Sequence, residues 1–396
     1  MPGSVIVAGA RTPIGRLMGS LSTLSAVDLG AHAIGAALAA VRLDPAVVEA
    51  VVMGHVVQAG AGPNSARQAA IRAGIPFSVP GSTVNKLCLS GLHAIALADL
   101  MITSGRHEVV VAGGMESMSD APHLLRGART GWKFGPAAAE DALDRDALVC
   151  AFDGVSMGAA TERHQRPFAL TREEQDEYGA LSHQRAAHAQ ESGVLSEEIT
   201  AVTVAGRRGE TVVDTDEGVR PGSTAESLGR LKPAFSGAGT ITAGNSSQLS
   251  DGAAAVVVMS ARRARREGLT PLAEIGAYGT VAGPDPSLLV QPAGAVRDAL
   301  SRDGRLKAAD LDLFEINEAF AGVALASVRE LDIPLDKVNV NGGAIALGHP
   351  VGMTGARLVL TLAAELRRRG GGSGAAALCG GGGQGDALLL HVPAQA

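Results

Sequence analysis

The order of apolar runs predicts an α/β protein made of two similar halves, with a loop-rich region between them. Three observations carry that expectation. Short β-rich runs alternate with Ala- and Leu-rich stretches at both ends of the chain, the pattern of helices layered on a sheet. The two ends repeat one set of small motifs. The middle, roughly residues 119–249, breaks the alternation and is rich in Arg, Glu, Gly and Pro.

Taken in order, Val5-Ile-Val-Ala8 reads as a first strand and the stretch from Leu29 to Leu38 as a helix against it. Leu89, Leu92, Ile95 and Ala96 recur at helical spacing just after Cys88, and Val109-Val-Val-Ala112 reads as the strand that follows. In the middle region one amphipathic helix is expected over 172–192, opened by Thr171 with Glu174 three positions on, a capping box. Ala253 to Met259 returns to the core pattern as a buried strand, and Leu388-Leu-Leu-His-Val392 is the last strand. The repetition is local. Val84-Asn85 has its counterpart in Val340-Asn341, and Val111-Ala-Gly-Gly114 in Leu378-Cys-Gly-Gly381. The spacing within the second copy is longer, which an insertion explains. The expected division is an N-terminal half over 1–118 completed by 250–271, a covering loop domain over 119–249, and a C-terminal half over 272–396.

Composition narrows the function. With 396 residues, 46% of them hydrophobic, the chain has ample material for more than one core. Aromatics are only 3% and the net charge is -6, which argues against a nucleic-acid partner needing stacked rings on a basic track. A few arginines could still hold an anionic small ligand. Three cysteines read as free thiols in a reducing compartment. No apolar run approaches the roughly 20 residues of a membrane span, and neither terminus reads as a secretory, transit or peroxisomal address. A cytoplasmic protein without a membrane partner is the expectation.

The chemistry concentrates in three places. Cys88 lies where a helix should begin, and there the helix dipole and free N–H groups favour the reactive thiolate; the alternative is a small buried core residue. His349 sits among Gly342, Gly343, Gly348, Gly352 and Gly355, a density of glycine that marks close backbone approach, and an imidazole there could draw the proton from a thiol. Cys379 ends an apolar strand and opens Gly380-Gly-Gly-Gly383, a turn able to offer N–H groups to an oxyanion or a phosphate, or simply a tight turn with an inert thiol. Asn317 and Glu318 stand between an apolar strand and an Ala-rich helix, where an amide could orient a water or cap the helix. Cys150 has no such frame and reads as structural. His93, His123, His164 and His183 lack partners at metal-ligand spacing, so no metal site is expected.

These segments resemble those of the thiolases, the family of acetyl-CoA acetyltransferases and 3-ketoacyl-CoA thiolases. The resemblance runs from Ala10-Arg-Thr-Pro13 through Gln58 to Gln68, the Cys88 segment, Gly113-Gly-Met-Glu-Ser117, Ile241 to Ser247 and Asn317-Glu-Ala-Phe320, to the His349 and Cys379 segments. It implies a thiolase-like five-layer αβαβα fold from two duplicated halves plus a loop domain, and a homotetramer, a dimer of dimers. It implies Cys88 as the acylated nucleophile, His349 as its activator, and Cys379 as the acid–base for C2 of a second acetyl-CoA. Asn317 (through a water) and His349 would form one oxyanion hole, and the N–H groups of Cys88 and Gly381 the other. Coenzyme A would lie against Phe235, Ala243 and Ser247 along its pantetheine, with Met157, Ala319 and Phe320 beside them and Arg220 and Ser227 near the nucleotide. The coenzyme A thioester is the substrate and no separate cofactor is implied. Ser156 stands where short-chain biosynthetic members often carry His, yet the stretch from Met118 to Gly135 looks closer to that biosynthetic group. Condensation of two acetyl-CoA to acetoacetyl-CoA is therefore expected. The alternatives are a degradative thiolase for longer 3-ketoacyl chains, a decarboxylating condensing enzyme (against which Cys379 counts), and a non-catalytic acyl-CoA carrier.

Overall fold

Apolar strands of the two chain ends assemble into one mixed sheet. The computed structural model describes residues 3–206 and 209–394; the chain's outermost residues, on which the reading of targeting signals partly rests, lie outside these. In chain order the main strands are β1 (Ser4–Arg11), β2 (Ala50–Gly54), β3 (Gly81–Val84), β4 (Val109–Ser117), β5 (Ser250–Ser260), β6 (Ala273–Ala282), β7 (Leu313–Ile316), β8 (Gly372–Gly380) and β9 (Gln384–Val392). Across the sheet they run β7-β8-β9-β6-β1-β5-β4-β2-β3, with the two-residue strand Gly15–Arg16 paired on β5.

The duplication is visible in the pairing. In the first half β2 pairs in parallel with β3 and β4, while β4–β5 and β5–β1 are antiparallel. In the second, β7 pairs in parallel with β8, while β8–β9 and β9–β6 are antiparallel. Where β3 stands in the first half, Val338 forms a parallel bridge to Phe314 of β7 in the second. Within the sheet, among the described residues, the halves join through the short antiparallel contact of Val5 and Ile6 with Glu274 and Ala273.

Because side chains alternate across a strand, each half can bury both faces of its strands. The inner faces enclose α2 (Ser90–Thr103) and α6 (Thr354–Arg368), in one core with Leu92, Ile95, Val110, Leu358, Leu362 and Ala376. The outer face of the first half is covered by α1 (Ala26–Ala40), with Ile34 packed on Val51, Val111 and Val257. That of the second is covered by α4 (Gln291–Asp303) and α5 (Ala321–Leu331), with Val296, Ala299 and Leu331 beside Phe314, Ala375 and Leu389. Helix, sheet, helix pair, sheet, helix: this is the five-layer αβαβα arrangement. Its centre is tight. A Cβ on Gly355 would meet the Leu92 backbone nitrogen at 2.3 Å, so the first turns of α2 and α6 come within backbone contact.

The extra length in the second copy is explained by what precedes these helices. Lys86–Leu89 alone joins Asn85 to α2, whereas residues 342–353 join Asn341 to α6. That longer segment is the one carrying His349. The middle region folds into two small hairpins, the helix Met157–His164 and α3 (Arg172–Glu191), whose Thr171–Glu174 capping box forms as expected. It is anchored below by the fully buried Arg11, whose guanidinium meets Glu198 at 2.6 Å and Asp216 at 2.7 Å.

Candidate active site

Cys88 occupies the turn between β3 and α2. Leu87 before it has φ 52°, a left-handed conformation uncommon for a bulky residue. The kink is held from three sides: Leu87 N–H donates to Asn85 Oδ1 (3.0 Å), Lys86 N–H to Ser90 Oγ (2.8 Å), and Ser90 Oγ to the Leu87 carbonyl (2.6 Å). The expected thiolate is not the resting form. Desolvation pushes the thiol up to about 11, outweighing the downward pull of the N–H groups of Cys88 and Gly381. A helix terminus favours the anion, but its partial charge is smaller than the cost of taking a full charge out of water. Glu116 nearby raises the thiol further.

Those two N–H groups, one from each half of the molecule, converge on the sulfur. The approach is close: a Cβ on Gly381 would meet Met157 Cε at 2.5 Å and Leu87 Cδ1 at 2.8 Å, and both side chains would have to move. Cys379, at the end of β8, is buried, and desolvation followed by the neighbouring Cys88 raises its thiol. The two thiols are thus brought into electrostatic reach.

His349 is buried and its protonation pattern can be read from its partners. Thr354 Oγ1 donates its only proton to the Pro350 carbonyl at 2.9 Å, so it accepts from His349 Nδ1–H at 2.6 Å. This assigns the proton to Nδ1 and leaves a lone pair on Nε2. Burial, then Arg357, lowers the imidazole to about 3. The base is therefore neutral at rest. Asn317 Nδ2 stands 3.5 Å from Nε2, the long limit of a hydrogen bond, and Asn317 Oδ1 is buried without a protein partner. Buried polar atoms in that condition mark where a water or substrate oxygen fits.

The glycines around His349 have a stated reason. Gly348 has φ 114°, and a Cβ on it would meet Ser250 Oγ at 2.3 Å. Two carboxylates pin the segment. Glu116 accepts from the N–H groups of Gly352 (2.9 Å), Val56 (3.0 Å) and Val57 (3.1 Å). Glu318 accepts from Ile345 N–H (3.0 Å), Tyr178 Oη (3.0 Å), Ser182 Oγ (2.6 Å) and Asn339 Nδ2 (3.0 Å). Sequence reading assigned neither carboxylate this task. For Glu116 the signal was available, because a lone acid inside an apolar strand needs donors; Glu318 lies past the end of β7.

On the far side of Met157, whose Cε lies close to Gly381, a cavity of about 560 Å³ is lined by Met157, Arg220, Phe235, Ala243, Ser247 and Phe320, and also by Ser156; Cys88, His349 and Cys379 are not on its wall. Phe235 and Phe320 meet edge to face with ring centres 6.0 Å apart. The other two residues expected along coenzyme A stand elsewhere. Ala319 is buried in the apolar cluster of Cys379 and Met157, and its carbonyl accepts from Ser247 N–H at 3.1 Å. Ser227 lies off the cavity wall on the short helix Ala225–Gly229, whose N-cap is Thr224, and its hydroxyl accepts from Thr224 N–H at 3.0 Å. Ser156 caps the helix Met157–His164, accepting from Ala159 N–H at 3.3 Å. His183, read as a surface or core residue, is buried and accepts the Arg220 N–H on Nδ1 at 3.2 Å. Desolvation, then Arg220, lowers it to about 4.

Two thiols and one neutral imidazole, gathered from the two duplicated halves with a cavity alongside, are the groups that thiol-dependent transfer on an α/β scaffold requires. Residues 4–262 match the thiolase N-terminal domain and residues 269–392 the thiolase C-terminal domain, so the chain belongs to the thiolase family. It is 56% identical to a probable acetyl-CoA acetyltransferase of Mycolicibacterium smegmatis, over 98% of this chain and 100% of that one. Acetyl-CoA acetyltransferases of Cupriavidus necator (49% identical, 92% of this chain and 93% of that one) and Escherichia coli (47%, 91% and 92%) are similar along nearly their whole lengths.

Proposed function

We propose that the chain is an acetyl-CoA C-acetyltransferase that joins two acetyl-CoA into acetoacetyl-CoA and free coenzyme A, and runs the reverse thiolysis. The observation that carries this reading is the placement of His349, with Nδ1 2.6 Å from Thr354 Oγ1 and Nε2 turned to Asn317. Cys88 passes its proton to Nε2 as its sulfur attacks the first thioester, and the coenzyme A thiolate leaves with that proton. Transfer at the moment of attack avoids a buried ion pair that both pKa shifts oppose. Cys379, as thiolate once its proton has passed to the neutral His349, takes a proton from C2 of the second acetyl-CoA; the enolate attacks the acetyl carbonyl, and Cys88 is released as thiol with the proton that His349 held. The N–H groups of Cys88 and Gly381 receive one oxyanion; Asn317 (through a water) and His349 receive the other. Both thioesters are at one oxidation level, so the balance needs no cofactor beyond the coenzyme A thioester itself.

The cavity residues Met157, Arg220, Phe235, Ala243, Ser247 and Phe320 are assigned to coenzyme A, with Ala319 behind them and Ser227 toward the nucleotide end. The three free thiols fit a cytoplasmic setting. The exposed Leu125, Trp132 and Phe134 fit assembly into a homotetramer. Intact-protein mass after mixing with acetyl-CoA tests the reading: an acetyl adduct on wild type, absent in Cys88→Ala, is expected, and coenzyme A binding without any adduct would reject it in favour of a carrier.

One observation favours a second reading, cleavage of longer 3-ketoacyl-CoAs. A further cavity of about 440 Å³ borders Leu87, Phe152, Met157, Gly381 and Gly382, next to Cys88. Thiolysis rates across acyl chain lengths separate the two, since only the second reading expects rates to hold as the chain grows.

A further inference from the structure

The two thiols belong to different halves of the molecule, so something must set their separation. Cys88 stands on the turn before α2, and Cys379 on the β8–β9 hairpin. Leu87 and Leu89 of that turn pack on Gly381 and Gly380, but apolar contact fixes no position along a strand. The ionic contact does. Lys86, two residues before Cys88, places Nζ 2.7 Å from Asp386 Oδ1 and 3.0 Å from Oδ2. Among the described residues it is the only side-chain ionic link between this turn and the hairpin.

Asp386 is fully buried and lies opposite Leu378 in the β8–β9 register, one position from the pair Cys379–Gly385. It also accepts from Thr280 Oγ1 at 2.7 Å, across the β6–β9 ladder. The Lys86 ammonium donates further to Thr280 Oγ1 (3.1 Å) and Tyr278 Oη (3.2 Å), and Tyr278 Oη is 3.0 Å from His93 Nδ1, on α2. A buried carboxylate needs a partner, and this one takes it from the turn that carries the other thiol.

We propose that Lys86 is a positioning residue: its bond to Asp386 clamps the Cys88 turn to the Cys379 hairpin and sets the distance between the two thiols. The inference rests on the roles proposed above for Cys88 and Cys379. Acylation of Cys88 uses His349 and a single thiol, whereas carbon–carbon bond formation needs both thiols on one substrate pair. Loosening the clamp therefore separates the two half reactions.

The test compares Lys86→Met, Lys86→Arg and wild type by acetyl adduct formation and by steady-state condensation. In Lys86→Met, condensation kcat falls about 100-fold, as for a displacement of about 1 Å, while acetylation of Cys88 stays within about tenfold of wild type and KM for acetyl-CoA is unchanged. Lys86→Arg, which keeps charge and reach, restores most of the condensation rate. Equal loss of both half reactions, or loss of neither, overturns the clamp. Wild type that forms no acetyl-Cys88 defeats the underlying reading and the clamp with it. Should Lys86→Met not fold, Lys86→Gln, which removes the charge and shortens the reach to Asp386 while staying polar, is read in the same way.

Discussion

The resting charge states of the site decide how its residues can be tested. Cys88 and Cys379 are held as thiols and His349 as neutral imidazole chiefly by desolvation, to which Glu116, the Cys88 sulfur and Arg357 respectively add. If Cys379 only moves the C2 proton, Cys379→Ser leaves the acetyl adduct on Cys88 and lowers condensation by roughly 10²- to 10⁴-fold, the span of one lost acid–base group. A serine variant that condenses at the normal rate removes Cys379 from the mechanism. His183 gives a test by linkage. Its folded pKa of about 4 lies below the ordinary 6.5, so between those values the unfolded chain binds more protons than the folded one. Its contribution is thus complete above pH 6.5 and is lost as pH falls toward 4. In His183→Gln, where an amide oxygen can still accept from Arg220, that loss is absent. The stability advantage of wild type over the variant should therefore shrink as the pH is lowered from 7 to 4.5, read by denaturant midpoints at each pH. A constant gap would mean that His183 titrates normally.

At the scale of elements, the sequence was most informative where one local rule governed. The capping box at Thr171, the strand through Ala253 to Met259 and the glycine-framed turn at Cys379 follow from periodicity, caps and turn chemistry, and they form. The paired motifs revealed the duplication, and the excess spacing in the second copy foretold the insertion that holds His349. What stayed illegible depends on contacts between segments far apart in the chain. The helix-start argument for a Cys88 thiolate failed because burial is a tertiary property. Glu318 and His183 gained their tasks from donors on distant segments, Tyr178, Ser182, Asn339 and Ile345 for the one and the Arg220 N–H for the other, that no local pattern announces. Ser156 shows both sides of this. Its departure from the resemblance was visible in the sequence, but its capping of the helix Met157–His164, on the cavity wall, was not. Ser156→Ala should cost about 1 kcal/mol of stability as a lost N-cap. Since Met157 follows directly, the frayed first turn should also raise KM for acetyl-CoA with little change in kcat. A fall in kcat at unchanged KM would place Ser156 with the reacting groups instead.

On the scale of the whole molecule, the site exists because two copies of one layered unit face each other through α2 and α6. Each half supplies one thiol and one of the N–H groups at the Cys88 sulfur, while the second alone supplies the imidazole, through its insertion. The covering region closes the arrangement above and leaves a different problem outside. Leu125, Trp132 and Phe134 lie exposed on the segment linked to the small hairpin of His123–Leu124 with Glu140–Asp141. Large apolar side chains gathered on one exposed segment are costly to leave in water and mark a surface that associates. The arrangement fits the proposed homotetramer, with this segment holding dimers together while each dimer keeps complete sites. Trp132→Ser combined with Phe134→Ser removes most of that apolar surface without touching either thiol, the imidazole or the coenzyme A cavity. Light scattering should then give the mass of four chains for wild type and of two for the double variant, with acetylation of Cys88 retained in both. Four chains in both would move the assembly surface elsewhere, and a wild type of two chains would end the tetramer reading outright.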